Sequence, residues 1–205
     1  MHIVVFDLET RLLAEHLDKN KEIGWRRLIA GDGGISALAV YDLTEQWLFL
    51  YDEHSIREVA AHLEKADVVV GFRSEGFDVP VVEGILGRKL RLREHLDLYR
   101  LIARENASRG LVGTSGDLTL DACCRRSFGR GKSGSGAHAP DLYADRRFGE
   151  LFNYCGLDVR LTRDLLLFIA EHGGVQNFTG SFLHLDLPAV VKRRLNVRNQ
   201  LPNRA

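Results

Sequence analysis

The chain predicts an α/β fold with a mixed β-sheet flanked by helices. Three short apolar runs near its start are not separated by any clear helical stripe, the pattern of neighbouring strands. Helical stripes then alternate with further short apolar runs, as in parallel strands joined through helices. At 205 residues and 45% hydrophobic content, the chain can fill one good core.

Ile3 to Phe6 reads as a buried strand. Residues 11–34, polar and ending in Gly31-Asp32-Gly33-Gly34, read as a loop or excursion. Ile35 to Tyr41 and Trp47 to Tyr51 read as two strands of a hairpin, with polar residues between them. Ser55-Ile56-Arg57-Glu58 has capping-box spacing, and Ile56, Val59, Ala60 and Leu63 supply the stripe of the helix that follows. Val68 to Val70 reads as a short buried strand closed by Gly71. Pro80 suits the first turn of a helix whose apolar face is Val81, Val82, Ile85 and Leu86 and which Gly87 can end. Leu90, Leu92 and Leu96 to Leu98 suggest another strand, and Leu118 to Phe128 a short helix. Residues 129–141, rich in Gly and Ser, read as a mobile loop. Phe148 to His172 is the longest helix, with Leu151, Cys155, Leu165, Leu166 and Ile169 on one stripe. Residues 173–205 show no clear periodicity, and from Ala189 they carry Lys192, Arg193, Arg194, Arg198 and Arg204 without an acid. The expected organisation is a domain over 1–172 and a C-terminal extension over 173–205, basic from 189.

Formal net charge is +0, so no global basic field attracts nucleic acid, and any such contact must be a local patch. Cys123, Cys124 and Cys155 give neither a disulfide framework nor metal-ligand spacing, and their odd number fits a reducing compartment. The first residues lack a basic leader segment, and no apolar run approaches the roughly 20 residues that span a bilayer. A soluble, cytoplasmic protein without a membrane partner is expected.

Asp7 and Glu9 are two apart at the end of the first strand, so their carboxylates share a face. Two desolvated carboxylates repel, and either a hard divalent cation or a solvated strand end resolves the conflict. Asp78 follows a buried strand at the mouth of a helix. Asp158 falls inside the apolar stripe of the long helix, with Tyr154 one turn earlier and Thr162 one turn later. A buried acid requires a partner, which an arginine, solvent or a metal could provide.

Asp-x-Glu after the first strand, Phe77-Asp78-x-Pro80, and Tyr154-x-x-x-Asp158 together resemble the three motifs of the DEDD superfamily, the DnaQ-like 3′–5′ exonucleases of ribonuclease H-like fold. The match is to the tyrosine subclass, because the histidine subclass needs His where Asn153 stands. His95-Leu96-Asp97-Leu98, Leu118-Thr119-Leu120-Asp121-Ala122, Gly131-Lys132-Ser133-Gly134 and Tyr154-Cys155-Gly156-Leu157-Asp158-Val159 resemble one branch, the predicted bacterial and phage exonucleases related to family B polymerase proofreading domains. The resemblance covers roughly residues 2–170. It implies hydrolysis of phosphodiesters from a single-stranded or frayed 3′ end, DNA favoured, with two divalent ions, Mg²⁺ or Mn²⁺. Asp7, Glu9, Asp78 and Asp158 would be the metal ligands, Asp7 bridging, and Tyr154 would orient the attacking water. Thr10, Phe72, Arg73, Phe77 and Lys132 would touch substrate, and a replication or repair protein is the expected partner. The family usually carries asparagine where this chain has Arg73, which could contact phosphate or pair with Glu75.

Several features stay open. Gly131-Lys132-Ser133 lacks the earlier glycine of a nucleotide phosphate loop, with Arg126 in its place, so Lys132 and Arg130 either touch a nucleic-acid backbone or sit in a linker. Arg88, Lys89, Arg91 and Arg93 either guide a strand or protect a sheet edge. Phe72 and Phe77 either stack on a terminal base or pack in the core. Asp97 and Asp121 read as capping or local hydrogen-bonding residues. The competing functions are a non-cleaving ribonuclease H-like module that binds nucleic acid or a replication partner, and a structure-selective endonuclease on the same fold.

Overall fold

The computed structural model describes residues 1–114, 116–131 and 139–199, of which 196–199 by backbone alone. A five-stranded sheet has the order β3-β2-β1-β4-β5, with β1 spanning Ile3–Thr10, β2 Ile35–Asp42, β3 Trp47–Tyr51, β4 Val68–Gly71 and β5 His95–Asp97. β1, β2 and β3 run antiparallel, and β4 and β5 join parallel to β1, so the sheet is mixed. Alternation along β1 sends Ile3 and Val5 to one face and Val4, Phe6 and Leu8 to the other. The first face packs under the long helix α8 (Phe148–His172), where Ala37 and Ala39 on β2 let it approach. The second face is covered by α3 (Ile56–Lys65) through Val59 and Leu63, and by α4 (Asp78–Leu86) through Val81 and Val82.

The structure corrects several sequence expectations. Residues 11–34 hold two helices, α1 (Ala14–Leu17) and α2 (Lys21–Ile29), and Asn20 caps α2 by accepting from the N–H groups of Glu22 and Ile23. The capping box at Ser55 does not form; its hydroxyl donates to Asp52 Oδ1 at 2.8 Å. The strand expected through Leu90, Leu92 and Leu98 shrinks to β5, because Asp97 caps α5 (Leu98–Ser108) and turns the chain straight into a helix. Leu98, Leu101 and Ile102 enter the core on α5. Of the basic run before β5, Arg88 pairs with Glu64, Lys89 with Glu83 and Arg93 with Asp67. α6 (Leu120–Phe128) follows a Thr119 cap, and α7 (Ala139–Ala144) occupies the end of the segment read as a loop. Lys132 and the glycines after it lie outside the described residues.

Beyond His172 the chain forms a short hairpin, β6 (Gly174–Gln176) and β7 (Phe182–His184), and a helix, α9 (Ala189–Asn199). Val175, Leu183, Leu187, Val191 and Leu195 are buried in the cluster beneath α8. In the basic stretch, Lys192 pairs with Asp186. The three cysteines are buried free thiols. No described helix is long and apolar enough to cross a membrane.

Candidate active site

The floor of the site is the C-terminal end of β1. Asp7 and Glu9 continue the face that carries Ile3 and Val5, and the small side chains of Ala39 and Ala37 stand opposite them on β2. α8 crosses this face and lowers Asp158, 4% exposed, toward the strand. Asp7, Glu9 and Asp158 each place a carboxylate oxygen within 4.8 Å of the other two. Cys155, one turn before Val159 on α8, donates its Sγ–H to the Asp7 carbonyl at 3.6 Å and ties the helix to the strand. Burial first, and then the neighbouring acids, hold that thiol well above its ordinary value, so it remains a donor.

Three carboxylates this close are mutually repulsive at neutral pH. An oxygen-only donor set suits a hard divalent cation, so the trio fits such an ion.

Asp78 reaches the same place from the opposite side as the first residue of α4. Its Oδ1 accepts the N–H of Leu8 at 3.1 Å, between Asp7 and Glu9 in the chain. It stands outside the trio but shares its cavity. Burial pushes its carboxyl up to about 7, with smaller contributions from Asp97 and Asp158, against the hydrogen bonds from Leu8 and its own backbone.

The cavity has a volume of about 840 Å³. Asp7, Glu9, Thr10, Asp78, Tyr154 and Asp158 line it, and so do Phe72, Arg73 and Phe77. Thr10 is buried, and its hydroxyl donates to the Leu12 carbonyl at 2.8 Å. Phe72 is buried in the core cluster, edge-on to Tyr99, and Arg73 lays its guanidinium over the same Tyr99 ring, 4.4 Å from the centroid. Glu75, one candidate partner for Arg73, pairs with Arg100.

Arg73 has φ +64°, a left-handed backbone that asparagine adopts more readily than arginine. Asp97 holds it there: Oδ1 accepts from Arg73 N–H at 2.9 Å and Oδ2 from Glu75 N–H at 3.0 Å. The same carboxylate caps α5 through Arg100 N–H, so one side chain fastens the cavity wall to a helix. Asp121 makes a local pair with Arg125 at 2.8 Å. Arg130 pairs with Asp164 at 3.6 Å.

Sequence reasoning missed Trp25, Tyr99 and Arg100 among the lining residues. Trp25 on α2 stacks on Phe77 with centroids 5.4 Å apart and stays 46% exposed, and Tyr99 and Arg100 open α5 beside Phe72. A tryptophan in an otherwise polar stretch was the one signal available for Trp25.

No protein-family model matches the chain, and no curated protein matches it. Among solved structures, it is similar to the family B DNA polymerase of the hyperthermophilic archaeon Pyrobaculum calidifontis, with TM-score 0.57 and 18% identity. The match covers 84% of this chain and 26% of the polymerase, so the chain spans about a quarter of that protein's length. At that identity the similarity speaks to fold alone. The chain has an α/β fold, a mixed five-stranded sheet flanked by helices, compatible with ribonuclease H-like architecture.

Proposed function

We propose that the protein is a metal-dependent 3′–5′ exonuclease acting on single-stranded or frayed nucleic acid, DNA favoured. The observation that carries this reading is the meeting of Asp7, Glu9 and Asp158 within 4.8 Å on the floor of a cavity that also contains Asp78 and Tyr154. Asp7, Glu9 and Asp158 would hold Mg²⁺ or Mn²⁺, with Asp78 completing the acidic set. When bound, the ions supply positive charge that acidifies an attacking water and offsets charge on the phosphate.

The protein's own groups do the rest. The Tyr154 hydroxyl, on the helix turn before Asp158, orients the attacking water over the acids. Asp78 holds a proton up to about pH 7 and gives it up when the site gathers positive charge. Phe77 and Trp25, stacked on each other in the cavity wall, offer aromatic surface of the kind on which unpaired bases stack, and Tyr99 adds a third ring beside the buried Phe72. Arg73 and Arg100 bring the only cations described in the cavity wall, suited to a phosphate backbone.

The test is digestion of a 5′-labelled oligonucleotide with Mg²⁺ or Mn²⁺. A descending ladder is expected that vanishes with EDTA and with Asp7→Ala. Tyr154→Phe is expected to lower kcat by about 10²-fold while leaving metal-induced thermal stabilisation in place. Binding without any product in either metal would leave the non-cleaving module as the correct reading. Cutting of circular single-stranded DNA would instead identify an endonuclease.

A further inference from the structure

A second constellation of ligand-bearing side chains lies at the other end of the sheet. His2 precedes β1, Asp42 ends β2 and His62 lies in α3, and each offers a ligand atom within 4.8 Å of the other two. Five residues of extended strand, about 17 Å, separate His2 from Asp7. This group is therefore independent of the acidic floor.

The three side chains are already oriented by their neighbours. Asp42 is nearly buried, and its Oδ1 accepts the N–H groups of Thr44 at 2.6 Å and Glu45 at 3.0 Å, which turns Oδ2 to His2 Nε2 at 2.5 Å. The Tyr51 hydroxyl bonds His62 Nδ1 at 2.8 Å, so Nε2 is the nitrogen left for a ligand. The His2 and His62 rings stack with centroids 6.1 Å apart, and Phe49 packs edge-on against His62 at 4.9 Å. A ligating imidazole held at its second nitrogen, within an apolar wall, is how proteins orient metal-binding histidines.

We propose that His2, Asp42 and His62 form a site for a borderline transition-metal ion, Zn²⁺ by preference. Two imidazole nitrogens and one carboxylate oxygen are a donor set for Zn²⁺ and its neighbours in the series, whereas the all-oxygen trio at the other end suits harder ions. Three protein ligands leave a fourth position to water. Ligation through His2 Nε2 requires the tautomer with its hydrogen on Nδ1, and the contact with Asp42 must widen to about 3.3 Å, the spacing of ligands on a tetrahedral ion with bonds near 2.05 Å. Burial pushes the His62 imidazole below its ordinary value, which favours the neutral form that ligates. Burial opposes ionisation of Asp42, but hydrogen bonds from Glu45, His2 and Thr44 still hold its carboxyl below the usual range. A bound ion would clasp the start of β1, the end of β2 and α3, and so act as a structural fastening.

The test uses the full chain carrying Asp7→Asn and Asp158→Asn, so that the acidic floor does not report. Co²⁺ as a spectroscopic substitute should bind at one equivalent with tetrahedral visible absorption, and Zn²⁺ should displace it and raise the melting temperature. Adding His62→Gln or His2→Gln should weaken binding by more than the roughly 10–100-fold an outer partner is worth, and Tyr51→Phe by about 10-fold. Circular dichroism checks that each variant folds, and His2→Gln, at the edge of the fold, keeps the test decisive if His62→Gln does not. Absence of a Co²⁺ spectrum and of any Zn²⁺-dependent rise in melting temperature, or binding unchanged by either histidine substitution, overturns the proposal and leaves His2 and Asp42 as a hydrogen-bonded pair.

Discussion

Asp78 makes the stability of the fold depend on pH. Burial pushes its carboxyl up to about 7 in the folded chain, from an ordinary value of 3.8. Below about pH 4 both states are protonated and Asp78 costs nothing. Between about 4 and 7 the unfolded chain ionises while the folded one keeps its proton, so stability falls as pH rises. Asp78→Asn keeps the acceptor for Leu8 N–H and removes that loss. In EDTA, urea unfolding at pH 8 should show the variant more stable than the parent by roughly 2–4 kcal/mol, with the gain absent near pH 4. An equal or lower stability at pH 8 would mean that the carboxylate is not strained there. The spacing of Asp7 with Glu9, and of Tyr154 with Asp158, was readable because strand and helix periods fix which side chains share a face. The contribution of Asp97 was not, since a cap that fastens three N–H groups depends on where the chain returns in space.

At the scale of elements, the part of the cavity least visible in the sequence is the α1–α2 excursion. α2 buries only Gly24 and Leu28, so it has almost no apolar stripe to betray it. Its packing depends on glycine: a Cβ at Gly24 would stand 2.2 Å from the Ala14 carbonyl oxygen. Gly24→Ala should therefore cost about 1–3 kcal/mol in urea unfolding, although the same change at an open helical position usually stabilises. Gly149 in α8 is such a position, with nothing within 4 Å of a built Cβ, and Gly149→Ala serves as the control. A neutral Gly24→Ala would show that α1 and α2 separate easily. α5 and the β6–β7 hairpin were missed for other reasons. Leu96, Leu98, Leu101 and Ile102 run from strand to helix without a loop, and three-residue strands are too short to display a period. The long stripe of α8 was legible because seven turns of helix repeat the same signal.

For the whole molecule, the segment after His172 matters more than its sequence suggests. Val175, Leu183, Leu185, Leu187, Val191 and Leu195 are all buried in the cluster under α8. At about 1.5–3 kcal/mol each, removing them costs on the order of 10 kcal/mol, comparable to the total stability of an ordinary domain. A chain ending at His172 should fail to show a cooperative thermal transition. A clean melt within a few degrees of the full-length protein would show that residues 1–172 stand alone. This dependence is invisible in sequence because the apolar residues are scattered among turns and acquire their common face only on docking.

The placement of β1 in the middle of the sheet divides the cavity into two mechanical regimes. Its backbone is bonded on both sides, to β2 and to β4, while α1 and α2 border the opening with mostly exposed surfaces. Amide hydrogen exchange should be slowest through Val4 to Leu8 and orders of magnitude faster across residues 14–29, since local opening reports the bonds that must break. The acids thus rest on an anvil, and the aromatic lip that faces them can yield to chains of different width without disturbing their spacing.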